Sequence, residues 1–218
     1  DDIFFLRYIL SFNNIADQED AVRKTIAYRS NPENRDMIEK IYNDSWSSGY
    51  LSKTLEKYQV ADELPLAQTN GGFTLLIRGG MSNNSAIYDV LTRDEMVLVN
   101  YAYREHSFFK CDESTRQTGF MCKQIMLFDM KGSSITDMMN RRQSSIHKEV
   151  SSASSYLYPQ LVDKMCMINA PSWMTYVVSF FRKILPKKNM DKIALFRSVS
   201  DFWNTHWVQS TFNRKEVP

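Results

Sequence analysis

Cysteine is scarce in this chain: three residues in 218, an odd number. That excludes a small secreted fold stapled by disulfides, which needs paired cysteines at high density. Glycine and proline number only seven and six, which excludes collagen-like and linker-like chains and leaves little provision for hinges. Neither sign of charge is in excess: 27 Lys and Arg face 25 Asp and Glu, a formal net charge of +2. A nucleic-acid-binding domain carries a far stronger basic footprint, so no nucleic-acid partner is expected. No apolar run approaches the ~20 residues of a membrane-spanning helix. A phosphate loop, a dinucleotide-binding glycine pattern, a Gly-x-Ser-x-Gly elbow and a zinc-helix motif are all missing from the sequence. There is no signal-peptide pattern, and the chain opens on Asp1-Asp2; it reads as a segment of a longer protein, with the cytoplasm as the expected compartment.

What the chain does have is apolar mass. Hydrophobic residues make up 43% and charged residues 24%, enough to build a packed core. Methionine is frequent at 12, beside 13 Phe, 11 Tyr and 4 Trp. The length predicts one principal domain with a small helical annex.

Residues 1–60 read as helical. Phe4, Phe5, Tyr8, Ile9 and Phe12 recur at helical spacing, as do Ala21, Val22, Thr25, Ile26 and Tyr28 between Asp17 and Arg29. Asn31-Pro32 breaks the pattern, and Asp36 to Tyr42 predicts another short helix. At Asn70-Gly71-Gly72 the texture changes. Phe73 to Ile77 is a short apolar run with glycines on both sides, which predicts a buried strand. Thr92 with Glu95 forms a capping box that opens a helix through Met96, Val99, Tyr103 and Ser107. Then three solidly apolar runs follow, Ile125–Phe128, Met165–Ile168 and Ile193–Phe196, separated by helical stretches at 136–155 and 172–185. Strands alternating with helices predict parallel βαβ units, and runs without polar alternation predict strands covered on both faces.

Candidate chemistry is thin. His106, Cys111 and Cys122 fit no tetrahedral metal spacing, and Cys166 inside an apolar run reads as a small core hydrophobe. Neither an enzyme nor a metal site is expected. The stretch 172–185 is different: Trp173, Met174, Tyr176, Val177, Val178, Phe180, Phe181, Ile184 and Leu185 leave only a narrow polar stripe. Such a helix is either buried on nearly every side or faces something other than water. At ~1.5 Å per residue it is ~21 Å long, too short to cross a bilayer. Arg182, Lys183, Lys187, Lys188, Lys192 and Arg197 crowd beside it with Asp191 as the one acid, the composition of an element that meets an anionic lipid surface.

Several motifs are recognisable. Phe128-Asp129-Met130-Lys131-Gly132, Tyr158-Pro159-Gln160 and Met167-Ile168-Asn169-Ala170-Pro171 resemble segments of the CRAL-TRIO lipid-binding domain family, that of the Sec-fourteen-like phosphatidylinositol/phosphatidylcholine transfer proteins. Phe5-Leu6-Arg7-Tyr8-Ile9-Leu10 and Thr25-Ile26-Ala27-Tyr28-Arg29 resemble the family's N-terminal helical annex. The resemblance implies an α/β fold. A truncated annex would occupy residues 1–60, and residues 61–218 would form a lipid-binding domain whose largely parallel sheet floors an apolar pocket. It implies a floor of Ile125, Met126, Leu127, Phe128, Cys166 and Ile168. The stretch 172–185 would be a gate helix, with Trp173, Tyr176, Val177, Phe180, Phe181, Ile184 and Leu185 facing the pocket or its mouth. For the lipid headgroup it implies Lys192, Asn189, Gln160, Ser154 and Tyr158; Gln160 stands where the family has Glu, and Gln124 and Met126 depart from its pattern.

The expectation is therefore a non-catalytic domain that holds one phospholipid, phosphatidylinositol or phosphatidylcholine, or another hydrophobic molecule. It would need no other cofactor and would dock transiently on membranes. The alternative is a lipid-sensing or scaffold domain with a protein partner such as a small GTPase.

Overall fold

In the computed structural model of the chain, residues 2–43, 45–46, 49–64, 67–135, 141–182 and 187–217 are described, and the statements below concern those. Helices α1 (Asp2–Ile9), α2 (Ile15–Ser30), α3 (Pro32–Tyr42) and α4 (Tyr50–Tyr58) come first, followed by strands β1 (Ala61–Glu63) and β2 (Thr74–Arg78). Next come α5 (Asn84–Val90), α6 (Arg93–Thr118), β3 (Gln124–Asp129), α7 (Arg141–Leu157) and β4 (Val162–Ile168). The chain then forms α8 (Met174–Phe181), α9 (Lys187–Met190), β5 (Ile193–Leu195), α10 (Val199–Trp203) and α11 (His206–Thr211).

Local chemistry sets the boundaries. Asn14 caps α2, and Asn31 both ends α2 and caps α3, where Pro32 takes the first turn and its missing N–H costs nothing. The Thr92–Glu95 capping box opens α6 as expected, but the helix runs on for 26 residues until Gly119 adopts the left-handed conformation that ends it. In the 172–185 stretch the described helix runs only from Met174 to Phe181, and residues 183–186 lie outside the described residues. Likewise the helical stretch predicted from Thr136 is seen from Arg141 onward.

The five strands lie in the order β1-β2-β3-β4-β5, parallel except for β1, a short antiparallel edge that the sequence pattern does not reveal. Sequential parallel neighbours joined by right-handed crossovers put all their crossover helices on one face. Here α6, α7, α8 and α9 cover that face. The opposite face packs against α10 and α11: Leu76, Ile125, Leu127, Cys166, Ile168 and Phe196 meet Phe202, Val208 and Phe212 in one sealed cluster.

Two arginines bind the first helices to α6. Arg7, fully buried, donates from Nε to Asp112 Oδ1 at 2.7 Å and from its other nitrogens to the carbonyls of Gln160 and Cys122, each at 3.3 Å. Its guanidinium also stacks 4.9 Å from the Phe108 ring centre. Arg29 reaches Glu105, fully buried, at 2.8 Å. Glu105 and Asp112 are seven residues apart on α6, so they lie on one side of it. Arg7→Met should therefore strand Asp112 and two carbonyls. Asp112 keeps some contact with water, so the expected loss is about 3 kcal/mol, the low end for a broken buried pair, read as a lower urea midpoint.

Candidate functional site

Side chains alternate across a strand, so the register of the parallel strands sorts the apolar runs into two sets. On the face under α6–α9, Leu75, Met126, Met165 and Ile193 form one cross-strand row. Ile77, Phe128, Met167 and Leu195 form the next. Apart from Leu75, all of these are only half-buried, whereas their neighbours on the opposite face, Leu76, Ile125, Leu127, Cys166 and Ile168, are buried. The cover above the two rows is in two parts. One cluster, with Phe108 and Cys111 of α6, Leu157 at the end of α7 and Tyr158 just beyond it, packs on Leu75, Ile77 and Met126. A second, with Met174 and Val178 of α8 and Met190 of α9, packs on Phe128, Met167, Ile193 and Leu195. Among the described residues the two clusters do not merge, and Met165 belongs to neither. The result is an apolar, methionine-rich surface with a seam above it. Methionine is unbranched and soft, suited to a surface whose partner changes shape.

This corrects the expected floor. Met126 and Phe128 face the seam, but Ile125, Leu127, Cys166 and Ile168 point the other way, into the core beneath α10 and α11. A continuous apolar run hides which alternate residues share a face. The floor residues not foreseen, Ile77, Met165, Met167, Ile193 and Leu195, become readable once the parallel register is known.

Helix α8 lies on this face by an inner pair, Met174 and Val178, with Trp173 and Val177 packed beside them. Spacing of four keeps each pair on one side of the helix. Tyr176 points outward and is 78% exposed, and Thr175, Ser179 and Arg182 are exposed with it. The side chains of Phe180 and Phe181, and all of Ile184 and Leu185, lie outside the described residues.

Three of the expected headgroup residues make hydrogen bonds within the protein. Lys192 donates from Nζ to the Val162 carbonyl at 2.6 Å. Gln160, in a left-handed conformation, donates its amide to the Leu10 carbonyl at 2.9 Å. Ser154 donates back to the Val150 carbonyl of its own helix at 2.6 Å. Asn189 is exposed on α9. Tyr158 is buried beside Glu105 and Tyr28, and its hydroxyl is held well above the usual tyrosine range by burial.

The residues considered for chemistry are dispersed. His106 Nε2 lies 2.8 Å from Glu63 Oε1, and all three cysteines are buried and free. Burial pushes the Cys111 and Cys166 thiols up to about 12, the opposite of an activated thiolate. Among the described residues no group of three or more His, Cys, Asp or Glu is placed to hold a metal ion, and no helix is long and apolar enough to cross a membrane.

The CRAL/TRIO domain family matches residues 85–214, which carry α6–α11 and β3–β5. The chain belongs to that family, one of lipid-binding domains. Among solved structures it is similar to the crystal structure of Sfh5, with a TM-score of 0.60 at 11% identity; the match covers 93% of this chain and 66% of that one. At that identity the likeness is one of fold, and this chain spans about two thirds of the Sfh5 chain. No curated protein matches the sequence significantly.

The thiols offer a direct check on the packing. In the folded protein Cys111, Cys122 and Cys166 should react with a thiol reagent at pH 8 at least ~100-fold more slowly than a free cysteine, because reaction waits for opening. All three should react at once in denaturant.

Proposed function

We propose that the domain holds one phospholipid, or an amphiphile of similar size, above the methionine-rich rows, and exchanges it with membranes when α8 moves aside. The observation that carries this reading is the asymmetry of the sheet: one face sealed, the other apolar, half-buried and covered in two parts. Half-covered apolar surface in a lipid-binding family is where an acyl chain completes the core. Each CH₂ hidden there contributes roughly 0.8 kcal/mol, and the same groups are already hidden in a bilayer. Extraction is then nearly isoenergetic, and the barrier lies in displacing α8. A membrane lowers that barrier by accepting apolar surface, and Tyr176 and the exposed cations Arg182, Lys187 and Arg197 stand on or beside the moving segment. No bond is made or broken, and the site is transiently peripheral on the cytoplasmic side of membranes.

A second reading, presentation of the loaded domain to a protein partner, is favoured by one feature: Phe5, Leu6, Ile9 and Leu10 at the N-terminal helix are each about half-exposed.

Native mass spectrometry of the protein after bacterial expression, with organic extraction, should show one lipid per chain. A protein that takes up no lipid from vesicles would refute the reading. Met167→Trp, which places a bulky ring on the floor, should cut lipid uptake about tenfold, ~1.4 kcal/mol, and leave the urea midpoint nearly unchanged. Tyr176→Asp should slow transfer between labelled vesicles without affecting the lipid already bound. Lys192→Ala separates two roles for that lysine. Selective loss of phosphatidylinositol transfer identifies a headgroup contact; equal loss for every lipid identifies a structural role such as the Val162 hydrogen bond.

A further inference from the structure

Helix α6 turns a stripe of Tyr101, Arg104, Phe108 and Cys111 toward the sheet and α7, at the spacing of three and four that shares one helix face. Tyr101, Phe108 and Cys111 belong to the cluster that also holds Leu75, Ile77 and Met126, the β2–β3 end of the half-covered floor. Arg104 sits in the middle of this apolar stripe and is largely withdrawn from water. Its charged neighbours are spoken for. Glu105 pairs with Arg29, and Glu149 of α7 pairs with Arg93. Among the described residues no carboxylate lies within ion-pair distance of Arg104. The hydrogen bond it does make, to the Asn100 carbonyl of its own helix, is stretched to 3.5 Å. The polar groups around it are the hydroxyls of Tyr158 and Tyr101, with His147 of α7 close enough to feel its charge.

A guanidinium taken out of water without a counter-ion is costly. Consistent with that, desolvation pushes Arg104 below the usual arginine range, with Tyr158 and Tyr101 acting in the opposite direction. The arginines that fix the first helices show the contrast, since Arg7 and Arg29 each carry their own carboxylate. Among the described residues, Arg104 has no such carboxylate of its own.

We propose that Arg104, flanked by Tyr101 and Tyr158, is an internal oxyanion seat, and that the amphiphile carried here has an anionic head, a phosphate monoester or a carboxylate, with no cation of its own. A planar guanidinium receives either oxyanion through two parallel N–H donors, and the Tyr101 hydroxyl can supply a further donor. A choline head would bring a second cation next to Arg104. This inference rests on the lipid-binding reading and sharpens it.

The test is uptake by the full chain from phosphatidylcholine vesicles doped equally with phosphatidic acid in one arm and oleic acid in another, followed by native mass spectrometry. Wild type should capture the anionic lipid about tenfold or more over phosphatidylcholine, ~1.4 kcal/mol. Arg104→Gln should abolish that preference while still capturing phosphatidylcholine, and Arg104→Lys should keep part of it. Equal capture of anionic and zwitterionic lipid by wild type, or an undiminished preference in Arg104→Gln, overturns the seat while leaving lipid binding standing. Failure of every variant to take up any lipid overturns lipid binding and the seat together. A third arm uses inorganic phosphate alone: if it raises the melting temperature of wild type but not of Arg104→Gln, and no anionic lipid is preferred, the anionic amphiphile is overturned in favour of a free-phosphate site. Should Arg104→Gln fail to fold, Arg104→Lys against wild type decides, a weakened preference supporting the seat and an unchanged one overturning it.

Discussion

A parallel sheet exposes two apolar faces, because its crossover connections bring helices over it, and each face must be withdrawn from water. This sheet meets that constraint unequally. On one face Ile125, Leu127, Cys166 and Ile168 are sealed under Phe202, Val208 and Phe212. On the other, the crossover helices settle as two separate groups and leave Met126, Met165, Met167 and Phe128 half-covered. Closing the seam with protein side chains would give a tighter core and no room for a guest. Leaving it open costs burial that an apolar ligand restores, which couples stability to ligand binding. The sheet is thereby divided into a sealed face and a half-covered one, and the half-covered face is the one proposed for the lipid.

The N-terminal helices help to set the position of α6 over the half-covered face. Arg7 and Arg29 hold Asp112 and Glu105 on the side of α6 that also carries Tyr101 and Phe108. Buried ion pairs of this kind give little net stability over apolar substitutes, and their effect is to fix one arrangement. Here they fix the rotation of α6, and with it the packing of Tyr101 and Phe108 on Leu75, Ile77 and Met126. Gln160 adds to the same joint, its carbonyl accepting from Arg7 and its amide donating to Leu10. The annex thus bears on the half-covered face of the sheet through the orientation of one helix.

Much of this was legible in the sequence because it is local. The capping box at Thr92, the break at Asn31-Pro32 and the three apolar strand runs follow from short-range chemistry and emerge where expected. The floor did not. Met126 and Ile125 are equally apolar, and only pairing with β2 and β4 decides which of them faces the seam. Strand β1 was missed because Ala61-Asp62-Glu63 has no strand-like composition and forms by pairing with β2. The annex motifs were read as family marks, and their physical content, arginines that find acids more than 70 residues away, is a tertiary fact. Arg104 left no trace of its own, since one more arginine in an amphipathic helix looks solvated until its surroundings are known.

The recognisable motifs also show where the fold does not move. Asn169, left-handed just past β4, donates to Asp129 Oδ1 at 2.8 Å, and the same oxygen accepts from the Lys131 N–H at 3.0 Å. Gly132, also left-handed, brings the chain against Gly80, where any Cβ would stand 2.0 Å from the Lys131 carbonyl. The exits of β3 and β4 are thus joined by a side-chain hydrogen bond, and those of β2 and β3 by a close backbone approach at Gly80 that tolerates no side chain. Motion cannot be absorbed there. It falls to the connection between β4 and β5, where α8 is held to the sheet by a few apolar side chains, Met174 and Val178 foremost, and no described side-chain hydrogen bond ties it to the rest of the fold. Apolar contacts are non-directional and can be exchanged for others of equal area. A helix held by them can be released by a membrane or a lipid that offers the same burial, which is why the proposed exchange runs through α8.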